Sequence, residues 1–331
     1  MVQAIKLVIA TTLATAALAS AHPGHHEQRS LVEMAQHRIF QSNARRSLGA
    51  CAGSTSHRAL QERAAARREA QLSELQHQRR LSAADVIAKS HKSNLTDVAP
   101  TVDPSTLFGS QPQCILEPEV TQGPYYVTGE LIRNDVREEQ PGIDLYTELQ
   151  FIDVNTCEPV ADLYVDFWHC NVTGVYAGVN ANGNGDSNDL TNINNTFHRG
   201  LAPTNSEGIV QFITKFPGHY TGRTTHIHIL SNHGGQVLSN NTYAGGSVLT
   251  NKTCSGGSVR QVGQVFFDQS LLTAVYATAP YTSNTATITK NADDSIFKQE
   301  AASFDPVMNY AYINENSIAD GIFAYISMVS T

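Results

Sequence analysis

Residues 217–228 read PGHYTGRTTHIH and place a tyrosine, an arginine and two histidines within nine positions. Side chains alternate between the two faces of a β-strand, so His226 and His228 would point the same way and could share one metal ion. A His-x-His pair alone is weak evidence, because paired histidines are ordinary on half-exposed strands. Tyr220 and Arg223, which lie just upstream, make this segment a stronger candidate for a metal site.

A tyrosine beside two histidines narrows the choice of metal. A free phenol has a pKa of about 10, so it is a good ligand only for a Lewis acid strong enough to remove its proton. Ferric iron has that strength, whereas zinc and copper sites more often use His, Cys or carboxylate ligands. Two tyrosinates would neutralise much of the ferric charge, so the pattern requires a second tyrosine elsewhere in the chain.

The elements that must position these residues are predicted to be strands. From about residue 110, short runs of alternating apolar residues are separated by Gly, Asn, Asp and Pro, which is typical of an all-β sandwich. We therefore predict a mainly β fold, with a β-sandwich domain preceded by an N-terminal helical arm. The runs predicted as strands are 146–154, 162–170, 208–216, 225–231 and 262–268.

The arm is predicted from composition. Residues 28–47 and 57–81 look helical, and the second segment is rich in Ala, Leu, Glu, Gln and Arg, which are good helix formers. Three interpretations stand: an arm packed on its own body or on a second subunit, a propeptide cut at a dibasic pair such as Arg79-Arg80, or a basic surface for an anionic polymer. The first is favoured and allows a homodimer.

Export is predicted from the first 21 residues, which combine Lys6, an apolar run and Ala19-Ser20-Ala21 in the manner of a cleaved signal peptide. The domains expected are thus 1–21, a signal peptide; 22–100, the basic arm or propeptide; and 101–331, the sandwich. No other apolar run is long enough to span a membrane. Five Asn-x-Thr sequons agree with a secreted glycoprotein: Asn94, Asn171, Asn194, Asn240 and Asn251.

Charge and cysteine content bound the function further. Residues 22–92 hold 12 Lys and Arg against 6 Asp and Glu, a net charge of +6, while residues 93–331 hold 9 against 24, a net charge of −15. An acidic main body argues against nucleic acid as a partner. The chain has five cysteines, so at least one thiol is free or pairs between chains.

Four segments in order resemble the intradiol ring-cleavage dioxygenases, the family of catechol 1,2-dioxygenases and protocatechuate 3,4-dioxygenases. They are GPYY at 123–126, WHCNVTGVY at 168–176, PGHYTGRTTHIH at 217–228 and QVFF at 264–267. The resemblance covers roughly residues 112–330 and is strongest to the small exported fungal branch. It implies a non-haem Fe(III) enzyme that cleaves a small aromatic diol with O2 to a cis,cis-muconate-type product.

The resemblance also implies roles for individual residues. The iron ligands would be Tyr176 and His226, equatorial, with Tyr220 and His228, axial. Arg223 and Gln264 would lie beside the substrate ring, and Tyr220 would leave the iron and accept a proton from the substrate. Tyr125 and Tyr126 are candidates for the pocket wall. Fewer residues separate Tyr220 from the His-x-His pair than in the bacterial enzymes, which bears on substrate specificity more than on iron binding.

Other interpretations stand beside this one. His169 is expected to be a packed structural histidine, His219 to face away from Tyr220, and residues 180–195 to form a plain surface loop. The alternative to an enzyme is a catalytically silent β-sandwich that binds aromatics or polysaccharide.

Overall fold

The structure is a computed structural model that describes residues 39, 42–43, 46, 83–94, 114–115, 123–153, 156, 158–186, 188–248, 262–302, 304–314 and 316–330. Ten strands lie in these ranges: β1 (Cys114–Ile115), β2 (Asp144–Asp153), β3 (Tyr164–Trp168), β4 (Arg199–Pro203), β5 (Ile209–Lys215), β6 (His226–Val237), β7 (Tyr243–Val248), β8 (Val262–Phe266), β9 (Asn309–Asn314) and β10 (Ser317–Ser330). They form two sheets of five strands each. One has the order β1-β10-β2-β5, with β9 also paired to β10, and the other has the order β4-β3-β6-β7, with β8 also paired to β6.

The hydrophobic core lies between the two sheets. Phe167 of β3 and Phe212 of β5 come from different sheets, and their rings stack with centroids 4.4 Å apart. On β2, Leu145 and Leu149 are fully buried in the same core. Alternating apolar residues thus meet face to face, which is the packing of a β-sandwich. The mainly β prediction is confirmed, and each of the five runs predicted as strands overlaps one, although β2 begins before its run and β6 extends beyond its run.

Strand β6 is buried on both faces at its beginning. Ile227 and Ile229 point into the core between the sheets, so the alternation of a strand directs His226 and His228 to the opposite, outer face. Within the second sheet His228 lies opposite Trp168 of β3 and opposite Gln264 of β8. Side chains directly opposite each other share a face, so the sheet register gathers these three residues at one place.

Three α-helices have both of their ends within the described residues: α1 (Ala83–Ala88), α2 (Gln269–Tyr276) and α3 (Ser295–Ala301). Helix α2 buries Leu271, Leu272 and Val275 in the core. Helix α3 begins at Asp294, whose Oδ1 accepts hydrogen bonds from the first free backbone N–H groups of the helix, as an N-cap residue does. None of the helices in the described ranges has the length and apolar character needed to cross a bilayer.

Most of the predicted arm falls outside the described residues, as do the signal peptide and the dibasic pair. Within the predicted helix 28–47, the four described residues, Ile39, Ser42, Asn43 and Arg46, are helical. The domain boundaries and the role of the arm therefore remain predictions.

Candidate metal centre

Four side chains from three segments converge on the outer face of the second sheet. The Nε2 atom of His226 lies 3.2 Å from Nε2 of His228, 3.3 Å from Oη of Tyr176 and 3.4 Å from Oη of Tyr220. All four residues are nearly inaccessible to solvent. Two phenol oxygens and two imidazole nitrogens thus face one another in a small buried volume.

The tautomer of His226 suits a metal ligand. Its Nδ1 lies 2.6 Å from the carbonyl oxygen of Thr224, and because a carbonyl can only accept, Nδ1 carries the proton and donates it. The Nε2 atom therefore presents a lone pair to the centre. Metal-binding histidines commonly donate the N–H of their other ring nitrogen to a carbonyl or carboxylate in this way, and that hydrogen bond fixes the orientation of the ring.

His228 is held by the only tryptophan of the chain. The rings of Trp168 and His228 stack with centroids 4.8 Å apart and planes 7° from parallel, and the two residues are directly opposite in the β3–β6 ladder. The stack restricts rotation of the imidazole about its χ2 angle. Trp168 is itself fully buried, so it fixes the direction of the His228 ring.

Tyr176 is presented by a loop that buried asparagine side chains hold in place. Asn184 accepts a hydrogen bond from the Tyr176 N–H (2.7 Å) and donates to its carbonyl oxygen (2.8 Å). Asn192 donates to the same carbonyl at 2.9 Å. Both belong to the polar stretch 180–195, so the prediction of a plain surface loop is only partly right: most of its residues are exposed, but these two position the phenol-bearing segment.

The two tyrosine segments touch at Gly174. This residue has φ +85°, and a Cβ there would collide with the carbonyl oxygen of His219. Only glycine allows both the left-handed backbone and the close approach. The ring of His219 turns away from the centre: its Nε2 lies 3.0 Å from the Ala286 carbonyl. The expectation for His219 agrees with this placement.

Arg223 lies beside the centre in a fully buried ion pair. Its Nε donates to Oδ2 of Asp294 at 2.7 Å, and its Nη2 donates to Oε1 of Gln264 at 2.6 Å. Arg223 and Asp294 are 1% and 0% exposed at the side chain. The same Oδ2 accepts the N–H of Thr224 at 2.8 Å. The guanidinium is therefore held at two of its edges in one orientation.

Sequence reasoning found Arg223 and Gln264 but missed Asp294. The aspartate lies 71 positions beyond Arg223 in a segment that has no motif of its own. The one available signal was local: an aspartate that precedes a short amphipathic run is a typical helix start. That signal predicts a cap, and it gives no hint of an arginine partner.

Burial and charge set the ionisation of the phenols in the metal-free protein. Burial raises the pKa of Tyr176 well above its ordinary value of 10, the Tyr220 phenol raises it further, and the positive charge of Arg223 acts in the opposite direction. Burial likewise raises the pKa of Tyr220, again opposed by Arg223. Both phenols are thus neutral at pH 7 until a cation binds, and the centre suits only a metal that can displace their protons.

The donor set fits one ion of this kind. The other three donor atoms lie 3.2–3.4 Å from His226 Nε2, close enough for all four to share one metal ion. No group of three or more His, Cys, Asp and Glu side chains that could bind a metal occurs within the described ranges. A site here therefore needs the two tyrosines as donors.

Tyr125 and Tyr126 cover the centre. The ring of Tyr125 lies 4.9 Å from that of Tyr176 and 6.3 Å from that of Tyr220, while Tyr126 packs edge-on against Trp168 at 5.3 Å. Both tyrosines therefore line the volume next to the candidate ligands.

A buried arginine ties this cover to the Tyr176 loop. Arg199 donates to the carbonyl of Tyr125 at 2.5 Å and to that of Ala177 at 2.8 Å, and it pairs with Glu130 at 3.0 Å. Burial raises the pKa of Glu130 to about 7, although Arg199 acts to lower it. Arg199 was not singled out in the sequence, because nothing in its neighbourhood marks it.

His169 and Cys170 lie just behind the centre. His169 is fully buried, with Nε2 2.8 Å from Oγ1 of Thr214 and Nδ1 2.7 Å from the Cys170 carbonyl. Burial lowers the pKa of His169 to about 4, and it raises the pKa of the free Cys170 thiol to about 12. A neutral imidazole with both nitrogens occupied agrees with the expected structural role.

We expect Asn184→Asp to weaken the centre by loosening Tyr176. An aspartate keeps the oxygen that accepts the Tyr176 N–H but cannot donate to the Tyr176 and Val179 carbonyls. Asn192 still donates to both carbonyls, so the loss is of two hydrogen bonds at about 0.5–1.5 kcal/mol each, and we expect the free energy of unfolding to fall by about 1–3 kcal/mol. Asn182→Asp is the matched control, because Asn182 lies in the same loop and is exposed. Equal effects of the two substitutions would contradict the role given to Asn184.

Comparisons with solved structures show that the fold is similar to that of intradiol ring-cleavage dioxygenases. The fold matches that of an intradiol ring-cleavage dioxygenase from Tetranychus urticae with a TM-score of 0.52 and 29% sequence identity, covering 66% of this chain and 95% of that one. A second dioxygenase crystal structure matches with a TM-score of 0.51 and 28% identity over the same shares. The dioxygenase domain of a carbohydrate-binding fusion protein from Streptomyces sp. SirexAA-E matches with a TM-score of 0.40 and 19% identity, over 66% of this chain and 97% of that domain. No family model matches the chain, and no curated protein sequence does.

Proposed function

We propose that this protein is a secreted non-haem Fe(III) intradiol dioxygenase that cleaves catechol-type rings with O2 to cis,cis-muconate-type products. The observation that carries the proposal is the convergence of two phenol oxygens and one imidazole nitrogen on His226 Nε2, each at 3.2–3.4 Å from it. Its fold, which matches intradiol ring-cleavage dioxygenases, supports the same reaction class.

Tyr176, Tyr220, His226 and His228 would hold the iron. Ferric iron, when bound, would supply the Lewis acidity that ionises the phenols and makes a catechol acidic near neutral pH. Hard anionic oxygen donors favour the ferric over the ferrous ion. Their burial excludes bulk water, which strengthens every charge interaction in the centre.

The remaining groups act on the substrate. Tyr220, ionised when it holds the iron, would accept a catechol proton at Oη, because burial gives its phenolate a high affinity for protons. Arg223 would place a fixed positive charge beside the ring, where negative charge develops, and no reorganisation is needed because Asp294 and Gln264 already hold the guanidinium. Tyr125 and Tyr126 would form the wall against which the ring packs.

The proposal also covers secretion of the protein and the packing of its N-terminal arm. We infer that residues 1–21 direct secretion, that some of the five sequons carry glycans, and that the helical arm packs on the sandwich or on a second subunit. As part of this proposal we assign the sequence to the small exported fungal branch of the intradiol dioxygenases.

The test is iron content, colour and oxygen uptake of the purified protein. Charge transfer from tyrosinate to ferric iron should make it red-brown, and O2 should be consumed with at least one of catechol, hydroxyquinol, protocatechuate or a lignin-derived catechol. A colourless protein that stays iron-free after reconstitution would instead support the silent sandwich that binds aromatics or polysaccharide.

A further inference from the structure

Residues 83–94 lie directly against the sandwich, next to the candidate centre. Val86 of α1 is 1% exposed and packs in one apolar cluster with Phe266 of β8 and with Ile296 and Phe297 of α3. Burial of such a side chain stabilises the contact by about 1.5–3 kcal/mol. The last part of the segment joins the first sheet, where Ser93 N–H donates to the Tyr310 carbonyl at 2.7 Å.

Buried ion pairs attach this segment to the sandwich. The imidazole of His91 lies between two carboxylates, with Nδ1 2.6 Å from Oδ1 of Asp268 and Nε2 2.9 Å from Oδ2 of Asp305. The backbone N–H of His91 also donates to Asp268 at 2.8 Å, and Lys89 pairs with Asp305 at 2.7 Å. We call His91, Asp268 and Asp305 the His91 clamp. Only a protonated imidazole can donate to both carboxylates at once.

The clamp connects to the centre through helix α3. The N-cap residue of α3 is Asp294. Its Oδ2 accepts hydrogen bonds from Arg223 Nε and the Thr224 N–H. Its Oδ1 accepts hydrogen bonds from the N–H groups of Ile296 and Phe297. A shift of α3 therefore moves the carboxylate that orients Arg223.

The same apolar cluster has a second contact with the centre. Phe266 lies directly opposite His226 in the β6–β8 ladder, with the two rings 6.1 Å apart.

We propose that residues 83–94 are a positioning element for Arg223: the His91 clamp holds α1 on α3, and α3 presents Asp294 to the guanidinium. The proposal deepens the proposed function and rests on it for the consequence to catalysis, because Arg223 matters to the rate only if it lies beside a reacting ring. The structural half of the proposal, the coupling of the clamp to Arg223, stands without it.

The clamp is pH-sensitive in a defined direction. Burial lowers the pKa of His91, but hydrogen bonds and charge from Asp268 and Asp305 outweigh it and raise the pKa above 6.5. Burial raises the pKa of Asp305, and His91 and Lys89 outweigh that to hold it below 3.8. Stabilisation from His91 is thus fully present below pH 6.5 and is lost as pH rises through the raised pKa. Stabilisation from Asp305 is present above pH 3.8 and is lost as pH falls below it.

Other titratable groups around His91 leave this direction unchanged. Lys89 comes from its own segment, and Tyr310 comes from β9. Burial raises the pKa of Tyr310 to about 12, so it stays neutral throughout the range. The clamp should therefore be strongest between about pH 4 and 6.5, where the His91 imidazolium and the Asp305 carboxylate coexist.

The first experiment measures amide hydrogen exchange in the full-length protein and in His91→Gln at pH 5.5. Glutamine keeps a hydrogen-bonding side chain but cannot carry the charge. We expect exchange of α1, of α3 and of the Thr224 amide, which donates to Asp294, to rise roughly ten-fold, because a charged hydrogen bond is lost. Iron content should match the wild type. His233→Gln, an exposed histidine on β6, is the matched control.

A second variant and a pH series complete the test. Asp294→Asn keeps a good N-cap but removes the negative charge that pairs with Arg223, so it should lower kcat without changing exchange of α1. If the clamp acts through Asp294, the double variant should be no slower than Asp294→Asn alone. In the wild type, Thr224 exchange, corrected for its intrinsic pH dependence, should rise between pH 5.5 and 8.5, and in His91→Gln it should not.

The outcomes separate the two proposals. Unchanged Thr224 exchange in His91→Gln, or fully additive kcat losses in the double variant, would overturn the positioning role. If the wild-type protein cleaves no catechol, the proposed function is wrong. The exchange data would still show whether the His91 clamp is coupled to Arg223. If His91→Gln does not fold, the wild-type pH series decides alone: flat Thr224 exchange would contradict the coupling, and a rise with pH would support it.

Discussion

Replacing either His226 or His228 by alanine should remove iron from the protein. Each substitution deletes a nitrogen donor from a set in which the other three donor atoms lie 3.2–3.4 Å from His226 Nε2, and no other described side chain is placed to replace it. Loss even of a residue that only supports a ligand typically lowers metal affinity 10–100-fold. We therefore expect a loss of more than about 100-fold for a ligand itself, seen as near-zero iron and no visible absorption.

His233→Ala is the control for this experiment. His233 lies on the same strand, β6, but is exposed and beyond the buried part of it, so its removal should leave iron content and colour as they are. Folding is checked by the thermal unfolding transition of each metal-free variant. Wild-type iron content in both His226→Ala and His228→Ala would mean that the His-x-His pair is merely structural.

Phenylalanine at position 220 should slow substrate binding, whereas phenylalanine at position 176 should weaken iron retention. Both phenols lie at the centre, and each would contribute to the visible colour, so both variants should have an altered spectrum. Tyr220→Phe also removes the oxygen that accepts a catechol proton. Its substrate binding should therefore be slower and more strongly pH-dependent than that of the wild type. Tyr176→Phe removes a donor that stays bound, so the iron should be lost and reduced more easily.

Anaerobic stopped-flow mixing with a good catechol substrate measures the contrast, with proteins of equal iron content. Phenylalanine preserves the ring packing of both residues, including the contacts with Tyr125, so the comparison isolates the hydroxyl. Slow, pH-dependent binding in Tyr176→Phe but not in Tyr220→Phe would reverse the two assignments. An unchanged spectrum in both would mean that the iron binds elsewhere.

Burial keeps these phenols neutral in the metal-free protein, and a bound ferric ion would ionise them. In the metal-free protein the raised pKa values of Tyr176 and Tyr220 keep them neutral, so the fold does not bury uncompensated charge. The two phenolates formed when a ferric ion binds would neutralise much of its charge. The positive charge of Arg223 favours ionisation of both phenols and is itself balanced by Asp294.

The strands and the facing of the two histidines were predictable from the sequence. Alternation of apolar residues marked five of the strands, and the period of two alone places His226 and His228 on one side of β6 with Ile227 and Ile229 on the other. The chemical types of Tyr220, Arg223 and the two histidines indicated ferric iron before any contact was known. These conclusions depend on the alternation of apolar residues and on side-chain chemistry, which can both be read from residues that are close together in the sequence.

Tertiary structure alone decided which distant residues meet at the centre. Tyr176 reaches His226 across 50 positions, and Asp294 reaches Arg223 across 71, and only the packing of loops and α3 onto the outer face of the sheet brings them together. The resemblance to a known family pointed to Tyr176, but nothing pointed to Asp294, Asn184 or Arg199. Their roles come from single hydrogen bonds between segments far apart in the chain, and such bonds leave no periodic pattern in the sequence because each depends on how the whole chain folds.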